Sequence, residues 1–182
     1  MFIETEPTPN PTTLKFIPDR PVLEKGTFHF TSPEAAKGSP LAAALFAFPE
    51  VAGVLLAPSF VSVSLKAGEW EKLKPDILSA LLDHFTSGRP AVQPGSGEAR
   101  AKPAGDESGL VAEIKTILEE KVRPAVARDG GDITFEKFEK GVVYLHLKGA
   151  CSGCPSSILT LKQGIENLLK YYVPEVTEVR SV

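Results

Sequence analysis

Cysteine is almost absent from this chain of 182 residues; there are two, Cys151 and Cys154. So few thiols exclude a disulfide-built scaffold and place the chain in a reducing, cytosol-like compartment. Positive charge is short as well: 20 Lys and Arg against 23 Asp and Glu leave a net charge of −3. No basic surplus therefore points to nucleic acid. No apolar run is long enough to span a bilayer, which argues against a membrane partner. The N-terminus, "MFIETEPTPNPTTLKF", lacks a basic stretch leading into an apolar one and is acidic rather than arginine-rich. It reads neither as a secretory signal nor as a transit peptide.

Apolar side chains are missing from one internal stretch. Residues 88–109, "GRPAVQPGSGEARAKPAGDESG", hold Val92 as their one branched aliphatic and no aromatic. Such a segment cannot bury enough apolar area to offset its ordering entropy. It reads as a flexible linker between residues 1–87 and residues 110–182, each a small domain near the lower size limit for independent folding. The second block balances ten acidic against ten basic side chains, so it is not a charged tail.

In that block Leu110, Ile114, Ile117, Leu118 and Val122 recur at helical spacing. Pro124 bends or ends the helix. "ARDGGD" reads as a turn, its adjacent glycines supplying positive φ. "ITFEKF" and "VVYLHLK" read as a hairpin joined through "EKG", with Val143, Leu145 and Leu147 on one face and Val142, Tyr144 and His146 on the other. The CxxC follows at once. Pro155 then opens a helix bearing Ile158, Leu161, Ile165, Leu168 and Leu169 on one side, and "TEVRSV" forms a last strand. The order is α-β-β-α-β, an α+β unit.

The CxxC thus lies on a strand-to-helix turn. A helix N-terminus there is expected to lower the thiol pKa. Gly149 and Gly153 let the backbone approach whatever the sulfurs hold. A dithiol oxidoreductase is one reading, although its motif belongs early in a βαβ pattern. A metal site is another, and it faces a ligand count. Zinc or a 4Fe–4S cluster takes four protein ligands, and this chain offers two thiols. His29 and His84 lie across the linker, and His146 reads as a surface or half-buried side chain. Two chains related by a two-fold axis would supply four thiolates. A zinc-stabilised interaction module is the third reading.

"RPAVARDGGDI", "GVVYLHLKGACSGCPSS" and "LKQGIENLLKYYVPEVTEV" closely resemble the C-terminal domain of NifU and the NifU-like, or Nfu, iron–sulfur proteins. The resemblance covers essentially residues 110–182. It implies Cys151 and Cys154 as cluster ligands and a scaffold or carrier rather than an enzyme. The expected cargo is a 4Fe–4S cluster bridging two chains as a homodimer, with 2Fe–2S as the other type that four thiolates hold. Apo iron–sulfur proteins are the implied recipients, and an upstream donor supplies the cluster.

The N-terminal block has no cysteine, Gly-rich phosphate loop or nucleophile–base pair. Its alternating Pro7, Pro9 and Pro11 read as an extended arm entering a strand, with a polyproline ligand as the weaker alternative. "GTFHF", "VAGVLLA" and "FVSVSLK" read as strands, and Phe60, Val63 and Leu65 are assigned to one face, leaving Val61 aside. "SPEAAKGSPLAAALFAF" reads as a helical stretch capped by Ser32 and interrupted near Gly38. "EWEKLKPDILSALLDHF" reads as an amphipathic helix with Leu73, Ile77, Leu81 and Phe85 inward and Pro75 in its first turn. Trp70 is expected in packing. "ETEPTPNPTTLKF" and "FPEVAGVLLAPSFVSVSLK" resemble the N-terminal domain of Nfu proteins. Because that pattern starts almost at Met1, the resemblance implies a bacterial cytoplasmic protein, or a mature form in the mitochondrial matrix.

Overall fold

The computed structural model describes residues 1–94, 109–152 and 155–182. The chain divides into two compact α+β units, Met1–Arg100 and Ala101–Val182. Most of the composition-assigned linker, residues 95–108, lies outside the described residues, as do Gly153 and Cys154.

The N-terminal unit is an antiparallel sheet in the order β1-β2-β5-β4-β3. Its strands are β1 Ile3–Pro7, β2 Thr13–Pro18, β3 Phe28–Phe30, β4 Val51–Leu56 and β5 Val61–Leu65. The proline-rich arm is not a single extended entry. It is a hairpin, with β1 paired to β2 from Ile3↔Pro18 to Pro7↔Leu14. An Asn10 loop closes it: Asn10 Oδ1 accepts from Thr12 N at 3.1 Å and from Thr12 Oγ1 at 2.8 Å. Pro7 is tolerated because β1 is an edge strand. In β5 the inward set is Val61, Val63 and Leu65, whereas Phe60 precedes the strand. Period two demands odd partners for Val63, so the sequence assignment of Phe60 is corrected.

Ser32 Oγ accepts from Ala35 N and opens a 3-10 turn, Ala35–Gly38. Ser39 then caps α1, Pro40–Phe46. Helix α2, Trp70–Thr86, buries Trp70, Ile77, Leu81, His84 and Phe85. Pro75 lies inside this helix rather than in its first turn. Trp70 packs against Phe16, with ring centroids 5.9 Å apart. Residues 91–93, placed in the linker by composition, belong to this unit: Ala91 is buried, Ser39 Oγ donates to its carbonyl, and Gln93 N donates to Gly38 O.

The C-terminal unit follows the expected order. Helix α3, Gly109–Ile117, passes through a π turn, Leu118–Val122, into α4, Arg123–Arg128. Pro124 has no N–H and its ring crowds the preceding turn, which accounts for the widened geometry just before it. The strands are β6, Gly131–Glu139, and β7, Val142–Gly149. Lys140 and Gly141, with φ of 51° and 79°, form the two-residue loop whose twist suits a hairpin. After α5, Pro155–Tyr172, strand β8, Glu178–Ser181, pairs parallel to β7. Ile114, Leu118, Val122, Val143, Leu145, Ile165 and Leu169 share one buried core, separate from that of the first unit.

Candidate metal centre

Strand β7 ends at Gly149, whose φ of 65° turns the chain out of the sheet. The turn is closed by Ser152, which donates to Gly149 O from its amide at 3.0 Å and from its hydroxyl at 2.8 Å. Ala150 N donates to Gly130 O at 3.3 Å, tying this turn to the one that opens β6. Pro155 begins α5 shortly after. The CxxC is therefore at a strand-to-helix junction, with Cys151 described and Cys154 not.

Cys151 is 6 % exposed and belongs to the core formed by α3, β7 and α5. Its sulfur rests on Gly131: a Cβ added there would lie 2.3 Å from Sγ and 3.0 Å from the Lys148 carbonyl. Burial, and then the Asp129 and Asp132 carboxylates, push its pKa up to about 12. That reverses the expected lowering. The sulfur of Cys151 rests on the first residue of β6, inside the core. Desolvation of a thiolate then dominates.

Beside the thiol stands an ion-pair group. Arg123 grips Asp132 through Nε to Oδ1 at 2.9 Å and Nη2 to Oδ2 at 3.1 Å. Its Nη1 also meets both oxygens of Glu119 at 2.7 Å. The Asp132 side chain is only 5 % exposed. These residues were not singled out by the sequence reading. A signal was present in "RDGGD": one glycine suffices for the turn, and Gly130 alone takes positive φ there, at 76°. Gly131 is there for close approach. His146 is half-exposed and engaged, with Nε2 2.8 Å from Glu136 Oε2 and Nδ1 3.1 Å from the Val182 carbonyl. Among the described residues, no group of three or more His, Cys, Asp or Glu side chains could hold a metal ion.

Residues 114–180 match the NifU-like domain family, and residues 3–88 match the family described as scaffold protein Nfu/NifU N terminal. The chain belongs to the Nfu/NifU-like family. The human "NFU1 iron-sulfur cluster scaffold homolog, mitochondrial" is 47% identical over 186 residues, covering 100% of this chain and 72% of that protein. The protein of the same name from Drosophila ananassae is 44% identical over 184 residues, covering all of this chain and 64% of its own length. The chain thus spans less than two thirds of several relatives it matches. A solution structure of a NifU-like protein from Saccharomyces cerevisiae aligns with a TM-score of 0.47 at 20% identity, over 52% of this chain and 86% of that one. No helix among the described residues is long and apolar enough to cross a membrane.

Proposed function

We propose that this Nfu/NifU-like chain is an iron–sulfur cluster scaffold and carrier, not an enzyme. It binds a 4Fe–4S cluster as cargo on Cys151 and Cys154 of two chains and hands it to apo iron–sulfur proteins after loading by an upstream donor. The observation that carries this reading is that the chain's only two thiols sit in one CxxC, between β7 and α5. Two chains reach four thiolates, and a cluster held between two short turns can be taken over ligand by ligand. The dithiol oxidoreductase reading is disfavoured because its attacking thiol is exposed and of low pKa, whereas Cys151 is buried with its pKa pushed up to about 12. Thiols of this kind persist in a reducing compartment, either a bacterial cytosol or the mitochondrial matrix, the relatives' names giving "mitochondrial" for those proteins.

Anaerobic reconstitution followed by native mass spectrometry tests the assignment. One 4Fe–4S per two chains is expected; a full cluster on one chain would refute the shared-ligand scheme. Cys151→Ser and Cys154→Ser should each lose stable iron and sulfide. Cys151→Ser should also lower stability by about 1–2 kcal/mol, because a hydroxyl replaces a buried thiol. Loaded protein should restore an apo 4Fe–4S enzyme in the presence of chelator. Complete inhibition by chelator would mean release to solvent and would end the carrier reading.

A further inference from the structure

A cluster shared by two chains must be reached from the surface, yet Cys151 is buried in the core of the C-terminal unit with its sulfur on Gly131. Uptake therefore requires Cys151 to leave the core. The shelf that holds it is the first residue of β6. The next residue, Asp132, is nearly buried and pinned by both forks of Arg123, which is in turn held by Glu119 on the π turn. We propose that Arg123 is a positioning residue which, through Asp132, sets the Gly131 shelf and keeps Cys151 sheathed, so that this clamp governs how readily Cys151 becomes available to a cluster. Its purpose rests on the function proposed above; the sheathed thiol itself can be tested without iron.

The geometry favours a clamp over a merely decorative ion pair. An exposed pair contributes little, but Asp132 is shielded and held in a planar two-point grip that lysine cannot reproduce. Releasing Asp132 frees the start of β6. That movement widens the space between Gly131 and the Gly149 to Ser152 turn, since Gly131 is paired with Gly149.

The test uses the full chain bearing Cys154→Ser, free of iron, so that Cys151 is the single thiol. Its alkylation by N-ethylmaleimide should be slower by about a hundredfold or more than in denaturant, because burial withholds the thiolate. Adding Arg123→Lys should raise the native rate about tenfold, which corresponds to roughly 1.4 kcal/mol taken from the closed state, the scale of one charge-assisted hydrogen bond. Lys170→Gln, which removes an ion pair on α5 far along the helix from the CxxC, should leave the rate unchanged. Should Arg123→Lys not fold, the isosteric Asp132→Asn serves in its place. The acceleration must persist at low denaturant without steepening, since a rate that follows global unfolding would show only lost stability and overturn the clamp. In the chain with both cysteines, Arg123→Lys should speed the rise of visible absorbance during reconstitution while the final iron content stays that of the parent. Equal native and denatured alkylation rates would show that Cys151 is not sheathed. Faster alkylation with unchanged uptake would show that the clamp is not the gate. A parent chain that binds no cluster would refute the proposed function, and the alkylation result would stand or fall separately.

Discussion

Gly131 is the residue on which the site's local geometry depends most directly. It has an ordinary φ, so its lack of a side chain is a matter of space rather than backbone freedom. Gly131→Ala would drive a methyl into Cys151 Sγ and toward the Lys148 carbonyl, a backbone atom that cannot swing aside. A loss of about 1–3 kcal/mol is expected from overpacking, measured by urea denaturation. Repeating the substitution in Cys151→Ala should cost less, with a coupling of about 0.5–2 kcal/mol, because the sulfur is gone while the carbonyl contact remains. Additive costs would show that the thiol does not rest there. The sequence made Cys151 conspicuous through scarcity and spacing. The doubled glycine of "RDGGD" marked a spare position at Gly131, but neither periodicity nor composition says which side chain that glycine makes room for.

Elements were legible wherever a periodic apolar pattern faced a core. The positions assigned inward on α3, the π turn and β7, and Leu161, Ile165, Leu168 and Leu169 of α5, lie in or against one core, because burial of a single face is what that pattern encodes; Ile158 is not part of that cluster. What escaped was local: the Asn10 hairpin within the proline-rich arm and the π turn ahead of Pro124, each set by hydrogen bonds or ring sterics rather than by hydropathy. His84 on α2 is another such case. Its ring is 6 % exposed and its Nε2 has no hydrogen-bond partner among the described residues. Burial, and then the positive charge of Arg89, hold its pKa below the usual 6.5. The unfolded chain therefore binds this proton more readily than the folded one. Stability is full above pH 6.5 and is lost as pH falls below it toward the folded value. Thermal melts should show the transition of the first unit dropping between pH 7.5 and 5.5, and His84→Gln should flatten that drop. An unchanged slope would mean that His84 does not titrate in this window. The cap of α1 makes a simpler case. Ser39 accepts from Ala42 N at 3.1 Å, donates to Ala91 O and is fully buried. Ser39→Ala should cost about 1–2 kcal/mol, since both a cap and a buried carbonyl's partner go.

At the scale of the whole molecule, composition places a break near residue 88, and the two cores share no residue. Composition reads where apolar side chains become sparse. It does not read backbone hydrogen bonds, so it could not see that Ala91 and Gln93 are fastened to the first unit. The boundary we propose for that unit is therefore after residue 94 rather than after residue 87. Two fragments decide it. Residues 1–94 retain the buried Ala91, the half-buried Val92, the Ser39 to Ala91 bond and the Gln93 to Gly38 bond. Residues 1–87 lose all four and leave the hydroxyl of Ser39, at 0 % exposure in the intact chain, without its acceptor. Two hydrogen bonds at about 1 kcal/mol each and a modest apolar area argue for a difference of about 2–3 kcal/mol. The longer fragment should thus unfold at a visibly higher urea concentration with a similar slope. Limited proteolysis of the full chain should accordingly leave a fragment ending beyond residue 94, with the first cuts falling in the Gly- and Ala-rich residues 95–108. Cleavage that begins at Arg89, or equal midpoints for the two fragments, would show that residues 89–94 add nothing to the first unit and would restore the earlier boundary.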